Sequence, residues 1–167
     1  ILDCTQTFAK IIRTIKTQPT AYLPISKKSP YVKIKKLKKS KIDQGFTFTA
    51  QLFLDKFSLK YQSKLLQILD PNNFINITLS INDGQIIMHN SAIGNSKPFE
   101  KIIIPTNSWF DIAVSFIPSK KWIQCQIEEQ VSGFECIFPS FPSNSILTCD
   151  VGNGSASDNF MMHAALI

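Results

Sequence analysis

With 167 residues, 44% of them hydrophobic and thirteen of them Phe, the chain has the apolar material for one packed core, which excludes a disordered tail and a small disulfide-dependent scaffold. No apolar run approaches the roughly 18 residues that a membrane helix needs. The net charge of +6 has one source: eight lysines (Lys27, Lys28, Lys33, Lys35, Lys36, Lys38, Lys39, Lys41) lie between residues 27 and 41, while the rest of the chain holds ten basic and twelve acidic residues. The first residue is Ile1 rather than Met, and no basic stretch leads into an apolar one, so the chain reads as a piece of a longer protein whose targeting signals lie elsewhere.

In chain order, Phe8, Ile11, Ile12 and Ile15 recur at the helical period, which predicts a short amphipathic helix over residues 2–16. Residues 17–30, with Pro19, Pro24 and Pro30, suit an irregular connector. From there the period changes to two. Tyr31 to Leu37 reads as a first strand with Val32 and Ile34 facing in and Lys33 and Lys35 facing out. Phe46 to Leu54 and Ile75 to Ile81 alternate apolar with polar residues, as half-buried strands do. Asn82-Asp83-Gly84 supplies the positive φ of a tight hairpin turn, leading into Gln85 to His89.

Further strands are expected at Leu65 to Leu69, Phe99 to Ile104, Trp109 to Ile117, Trp122 to Glu128, Phe134 to Phe138, Ser145 to Val151 and Phe160 to Ile167. About ten strands with no helical pattern between them predict two packed antiparallel sheets and exclude alternating βαβ units. The four cysteines, Cys4, Cys125, Cys136 and Cys149, form no CxxC pair and have no His at zinc-site spacing. The last three fall on the apolar phase of strands, where a reduced Cys acts as a small hydrophobe. A reduced, intracellular core is the expectation and a secreted, disulfide-bonded one the alternative. The sequons at Asn76 and Asn153 occur at the rate chance gives this composition and do not decide between them.

The succession of pieces from residue 30 to 167 resembles the concanavalin A-like lectin and laminin-G-like jelly roll. The matching pieces are the aromatic alternation of Gly45 to Leu54, the Asp-Gly hairpin within Asn82 to Ile86, the Trp-led strand Trp109 to Phe116, and Val151-Gly152 followed by Phe160. Met161 and Met162 stand where many members have a Gly. A helix ahead of such a domain is similar to the arrangement in BEACH-family proteins, large intracellular scaffolds of membrane traffic. The resemblance therefore implies an all-β, antiparallel two-sheet jelly-roll sandwich with a short N-terminal helix, residues 1–29 forming helix and connector and residues 30–167 the jelly roll. It further implies a non-catalytic interaction module of a trafficking scaffold, cytoplasmic and peripheral to membranes, bound to a protein partner or to flanking segments of its own chain. A carbohydrate-binding lectin domain is the alternative.

The chemistry legible in the residues fits a module without a cofactor and without enzymatic activity. Glycoside cleavage needs two carboxylates about 5 to 9.5 Å apart. Glu128 and Glu129 are adjacent, so in a strand they point to opposite faces, and Glu135 lies across a hairpin from them. His89 and His163 have no partner spacing. Asp150, Asn153 and Asp158 are candidates for a ligand-holding loop, as are Asp70, Asn72 and Asn73 for calcium, but Asp and Asn are also the residues that turns select. Trp109 and Trp122 suit sugar stacking or, more commonly, a core. The lysines, Lys33, Lys35, Lys36, Lys38 and Lys39 above all, suit an anionic surface such as acidic lipid. Nucleic acid fits poorly, since Tyr31 is the only aromatic among them. The same lysines would also guard an edge strand or keep a loop solvated.

Overall fold

A computed structural model of the chain describes residues 23–25, 32–54, 62–70, 72, 75–91, 94–143, 145–152 and 160–166. The helix expected over residues 2–16 lies outside them. Among the described residues the strands are β1 (Leu23–Ile25), β2 (Val32–Lys38), β3 (Phe46–Leu54), β4 (Ser63–Asp70), β5 (Ile75–Asn82), β6 (Gln85–Asn90), β7 (Asn95–Pro98), β8 (Trp109–Ile117), β9 (Trp122–Ile127), β10 (Gln130–Glu135), β11 (Ile146–Val151) and β12 (Phe160–Leu166). One helix of five residues, α1 (Lys39–Asp43), follows β2.

The strands form two six-stranded antiparallel sheets: sheet A in the order β1-β12-β3-β8-β9-β10, and sheet B in the order β2-β11-β4-β5-β6-β7. The all-β, two-sheet sandwich expected from the alternation is therefore the observed architecture, and β3 and β8 have the expected bounds. Four elements differ, the first being the strand expected at Phe134 to Phe138, which runs Gln130–Glu135 as β10. Leu23–Ile25, within the segment read as an irregular connector, pairs with β12, so strand pairing reaches back to Leu23. Lys39–Asp43 is helical. The apolar run Phe99 to Ile104 is not a strand, and the pairing partner of β6 is the polar segment just before it, β7.

The reason for that last difference is visible at Ile103. Its N–H donates to Gln130 Oε1 at 2.7 Å and its carbonyl accepts from Gln130 Nε2 at 2.9 Å. One side-chain amide thus satisfies the backbone as a neighbouring strand would. The loop buries Phe99 and Ile104 in the core and leaves Ile103 76% exposed.

Directly paired residues share a face, so the registers define the core. In sheet A the row Phe46, Phe116, Ile123, Phe134 crosses β3, β8, β9 and β10, with the Phe46 and Phe116 rings stacked at 4.3 Å. In sheet B, Val151, Leu66, Leu79 and Met88 make one inward row, and Cys149, Ile68 and Ile77 another. The hairpin at Asp83-Gly84 is as expected: both residues take positive φ, 47° and 73°, inside the closing pair Asn82 and Gln85. Gly45, at the entry to β3, has φ 97°, and a Cβ there would stand 2.7 Å from the Phe116 carbonyl oxygen.

Cys125, Cys136 and Cys149 are free thiols buried in the core cluster, the small-hydrophobe role expected of them. Burial raises the pKa of all three. Cys149 is pushed up to about 12, with the Asp150 carboxylate adding to the effect. Cys136 reaches about 11, where burial outweighs the opposing charge of Lys97. Cys125 is raised further still by burial.

Candidate functional site

The lysine-rich segment becomes strand β2, an edge of sheet B whose described strand neighbour is β11. Its sequence, Val-Lys-Ile-Lys-Lys-Leu-Lys, does not alternate throughout, and the backbone accommodates this with a bulge. Leu37 pairs with Leu147 and Ile34 with Cys149, so Thr148 alone stands opposite both Lys35 and Lys36, and Lys36 takes φ 62°. The extra residue restores the phase. Val32, Ile34 and Leu37 come level with the core residues Val151, Cys149 and Leu147, while Lys33 and Lys38 come level with Asp150 and Ile146 on the opposite face.

Val32 and Ile34 thus have the inward phase expected of them but not the burial. At a sheet edge they remain 49% and 37% exposed.

The five lysines singled out in the sequence differ in their surroundings. Lys33 Nζ lies 3.9 Å from Asp150 Oδ1. Lys39 pairs with Asp43 one turn along α1. Lys36 and Lys38 are exposed, and neither has an ion-pair partner among the described residues. Lys35 is placed by its backbone, opposite Thr148.

Asp150 corrects the expectation of a ligand-holding loop. It stands inside β11, 5% exposed, on the face turned away from the core. The structure brings it to Lys33, a residue assigned from sequence to a different candidate site. Asn153 and Asp158 lie outside the described residues. Among the described residues no group of three or more His, Cys, Asp or Glu is placed to hold a metal ion.

The Lys33–Asp150 pair is one end of a polar row that motif spacing does not reveal. The registers place Lys33, Asp150, Gln67, Thr78, His89 and Ser96 side by side across all six strands of sheet B, on its outer face. Gln67 Nε2 donates to Thr78 Oγ1 at 3.2 Å, Thr78 Oγ1 donates to Asn76 Oδ1 at 3.1 Å, and His89 Nδ1 lies 2.8 Å from Ser96 Oγ. Asp150 and Thr78 within the row are each only 5% exposed, and the hydrogen bonds along it satisfy polar groups that solvent scarcely reaches.

The other residues singled out separate widely. Asp70 ties loops together: its carboxylate accepts from the Asn72 N–H at 3.0 Å and from the Ser145 hydroxyl, which is the turn role rather than the calcium role. Glu128 and Glu129 form the β9–β10 turn itself, both exposed, with Glu128 at φ 49°. Glu135 pairs with Trp122 at the far end of that hairpin. Five strand steps of roughly 3.3 Å put it about 17 Å from the turn, beyond the reach of a carboxylate pair.

Trp109 and Trp122, expected in the core, are both on the outer face of sheet A. Trp109 is half-buried against Phe53 with ring centroids 5.8 Å apart. Trp122 is 37% exposed and covers Gly133 on the edge strand β10, where a Cβ would come within 2.9 Å of the indole. The missing side chain is what admits the ring.

No family model and no curated protein matches the chain. Solved structures do. The chain is similar to mouse laminin alpha1 chain domains LG4-5, at 9% identity and a TM-score of 0.56 over 89% of this chain and 44% of that one. It is also similar to the receptor binding domain of botulinum neurotoxin C/D mosaic serotype, at 12% identity and a TM-score of 0.60 over 87% and 38%. A third similarity is to Trypanosoma rangeli sialidase in complex with 2,3-difluorosialic acid, at 14% and 0.52 over 74% and 20%. The chain spans less than half the length of each. At these identities the likeness shows the fold alone, an antiparallel two-sheet sandwich like that in the laminin LG4-5 structure.

Proposed function

We propose that this domain is a non-catalytic recognition module of a larger protein and that its contact surface is the β2 edge of sheet B. One observation carries the reading. Four of the eight clustered lysines, Lys33, Lys35, Lys36 and Lys38, sit on an edge strand whose inward apolar residues, Val32 and Ile34, are left half-exposed. The fold's presence in a toxin's receptor binding domain supports a binding role, and the separation of Glu135 from the Glu128-Glu129 turn supports the absence of a glycosidase pair. Membership in a BEACH-type trafficking scaffold is the finer form of the proposal, and its support is the helical pattern of residues 2–16 ahead of the sandwich.

Acidic lipid is a weaker occupant for this edge than the sequence suggests. A lysine near a membrane surface contributes about 1 kcal/mol. Lys39 already holds a carboxylate and Lys33 shares one at 3.9 Å, so among the lysines with described side chains the exposed Lys36 and Lys38 supply about 2 kcal/mol between them, and Lys33 adds less than a free lysine would. That is marginal binding.

The test uses the 167-residue chain and poly-L-glutamate, titrated at low and physiological salt. Binding should weaken with salt and fall severalfold in Lys36→Glu/Lys38→Glu. It should be unchanged in Lys120→Glu/Lys121→Glu, an equal charge change in the β8–β9 connection. Equal losses in the two variants would show a response to net charge and refute the assignment to β2.

A lectin is the second reading, favoured by the exposed Trp122 indole beside Gln124 and Ser115 on the outer face of sheet A. A glycan array with wild type and Trp122→Ala decides it. Retention of an oligosaccharide that the variant loses would establish a sugar site.

A further inference from the structure

We propose that β2 accepts an extended peptide strand in which acidic and apolar residues alternate, added to the edge of sheet B. The inference rests on the recognition role of β2 and names its partner class.

An edge strand presents outward a row of backbone N–H and C=O groups, and a peptide laid along it gains affinity from the ladder and specificity from the alternate side chains. Both faces of β2 carry information. On the inward face, the rows Leu66, Val151, Val32 and Ile68, Cys149, Ile34 run outward from the core and stop at side chains 49% and 37% exposed. An apolar residue on an added strand would extend each row by one position and cover Val32 or Ile34. On the outward face, Lys33 is 39% exposed with its ammonium 3.9 Å from the carboxylate on its inner side. A second carboxylate fits on the open side. A strand of period two places apolar and acidic residues on these two faces in turn.

The lysines and the bulge are also the devices that keep an edge strand from aggregating, and here that function and the proposed one are the same discrimination. A second copy of β2 would bring four lysines against four, so self-pairing is opposed. A basic or neutral strand would leave the cations uncompensated. The bulge at Lys35 and Lys36 limits a regular ladder to one side of it, which makes the partner a short segment. A flat lipid surface would meet the exposed ammonium groups but would not reproduce the two-faced register.

The test measures fluorescence anisotropy of a labelled, N-acetylated octapeptide of alternating Glu and Val against the full 167-residue chain, with hydrogen exchange of the β2 amides as the second readout. Controls are a block peptide of four Glu then four Val, an alternating Lys-Val peptide, and an alternating Glu-Val peptide N-methylated at every second residue. The alternating Glu-Val peptide should bind at least tenfold more tightly than each control, slow exchange along Val32–Ile34, and lose tenfold in Lys33→Glu.

Equal binding of the alternating and block peptides would overturn strand addition while leaving β2 as an acid-binding surface. Failure of poly-L-glutamate as well would remove that reading too. Binding of phosphatidylserine vesicles without peptide protection of β2 would replace the peptide with a membrane and overturn the proposal.

Discussion

Raising the pH should destabilise this domain, because three thiols are held neutral inside it. In an unfolded chain a Cys ionises near pH 8.5. In the fold Cys136 and Cys149 ionise at about 11 and 12, and Cys125 is raised further. A folded pKa above the unfolded one means the unfolded chain releases protons first. Stability is therefore fully present below about pH 8.5 and is lost as pH rises toward the folded values. One unit above the unfolded pKa, each such thiol withdraws between about 1 and 2 kcal/mol, so the two most deeply affected, Cys125 and Cys149, account for about 3 kcal/mol. Against a total stability of about 5 to 15 kcal/mol the effect is large. Urea unfolding followed by tryptophan fluorescence, with reductant, at about pH 7, 8.5 and 9.5 measures it as a midpoint shift of roughly 1 M or more at constant slope. An unchanged midpoint, or the same shift in a Cys125→Ala/Cys149→Ala variant, would refute the reasoning.

Two glycines with positive φ separate backbone strain from crowding: Gly84→Ala, with nothing within 4 Å, should cost about 1 kcal/mol, and Gly45→Ala, 2.7 Å from a carbonyl oxygen, about 3 kcal/mol by equilibrium unfolding. Equal costs would mean that the contact with Phe116 relaxes freely. Asp70→Ala should destabilise by about 1 to 3 kcal/mol in the same assay by orphaning the Asn72 N–H and the Ser145 hydroxyl, with no dependence on added calcium. The purified domain should not turn over β-glucans, and sustained hydrolysis abolished by Glu135→Gln would contradict the hairpin geometry.

Strands with strict alternation were legible because a two-faced sandwich leaves no other use for it. Phe46–Leu54 sends Phe48, Ala50, Leu52 and Leu54 inward, and the Asp83-Gly84 turn fixes the register of β5 on β6. The elements that escaped do not alternate. Leu23–Ile25 is three residues around a proline, and its strand character comes from β12. Asn95–Pro98 is polar because an edge strand has less to bury, whereas the apolar Phe99 to Ile104 is a loop because Gln130 takes the place of a strand neighbour at Ile103. Trp122 looked like core because Trp usually is. Its outward position follows from the phase of β9, which turns Ile123 inward, and its ring lies over Gly133 on the neighbouring strand, which no property of Trp122 itself announces.

The candidate site divides in the same way. The plain strand expected over Tyr31 to Leu37 did not include the bulge, although its cause is in the sequence: continued alternation from Val32 and Ile34 would turn Lys36 inward and Leu37 outward, and an unpaired lysine in a core is too costly to survive. One extra residue at the doubled lysine removes the conflict, and Lys36 at φ 62° is where it sits. The partner of Lys33 was not written there. Asp150 reaches it because β11 lies between β2 and β4, and Gln67, Thr78, His89 and Ser96 join the row through four further pairings. Each pairing depends on a register, and a one-residue slip in any of them would move its strand's polar residue to the core face. A site built as a row across a sheet has no spacing along the chain. Its specification is the set of devices that hold the registers: the Asp83-Gly84 turn, the bulge opposite Thr148, and the shift in β4 between Lys64 and Leu66. Those same devices fix which lysines of β2 meet a carboxylate and which remain exposed.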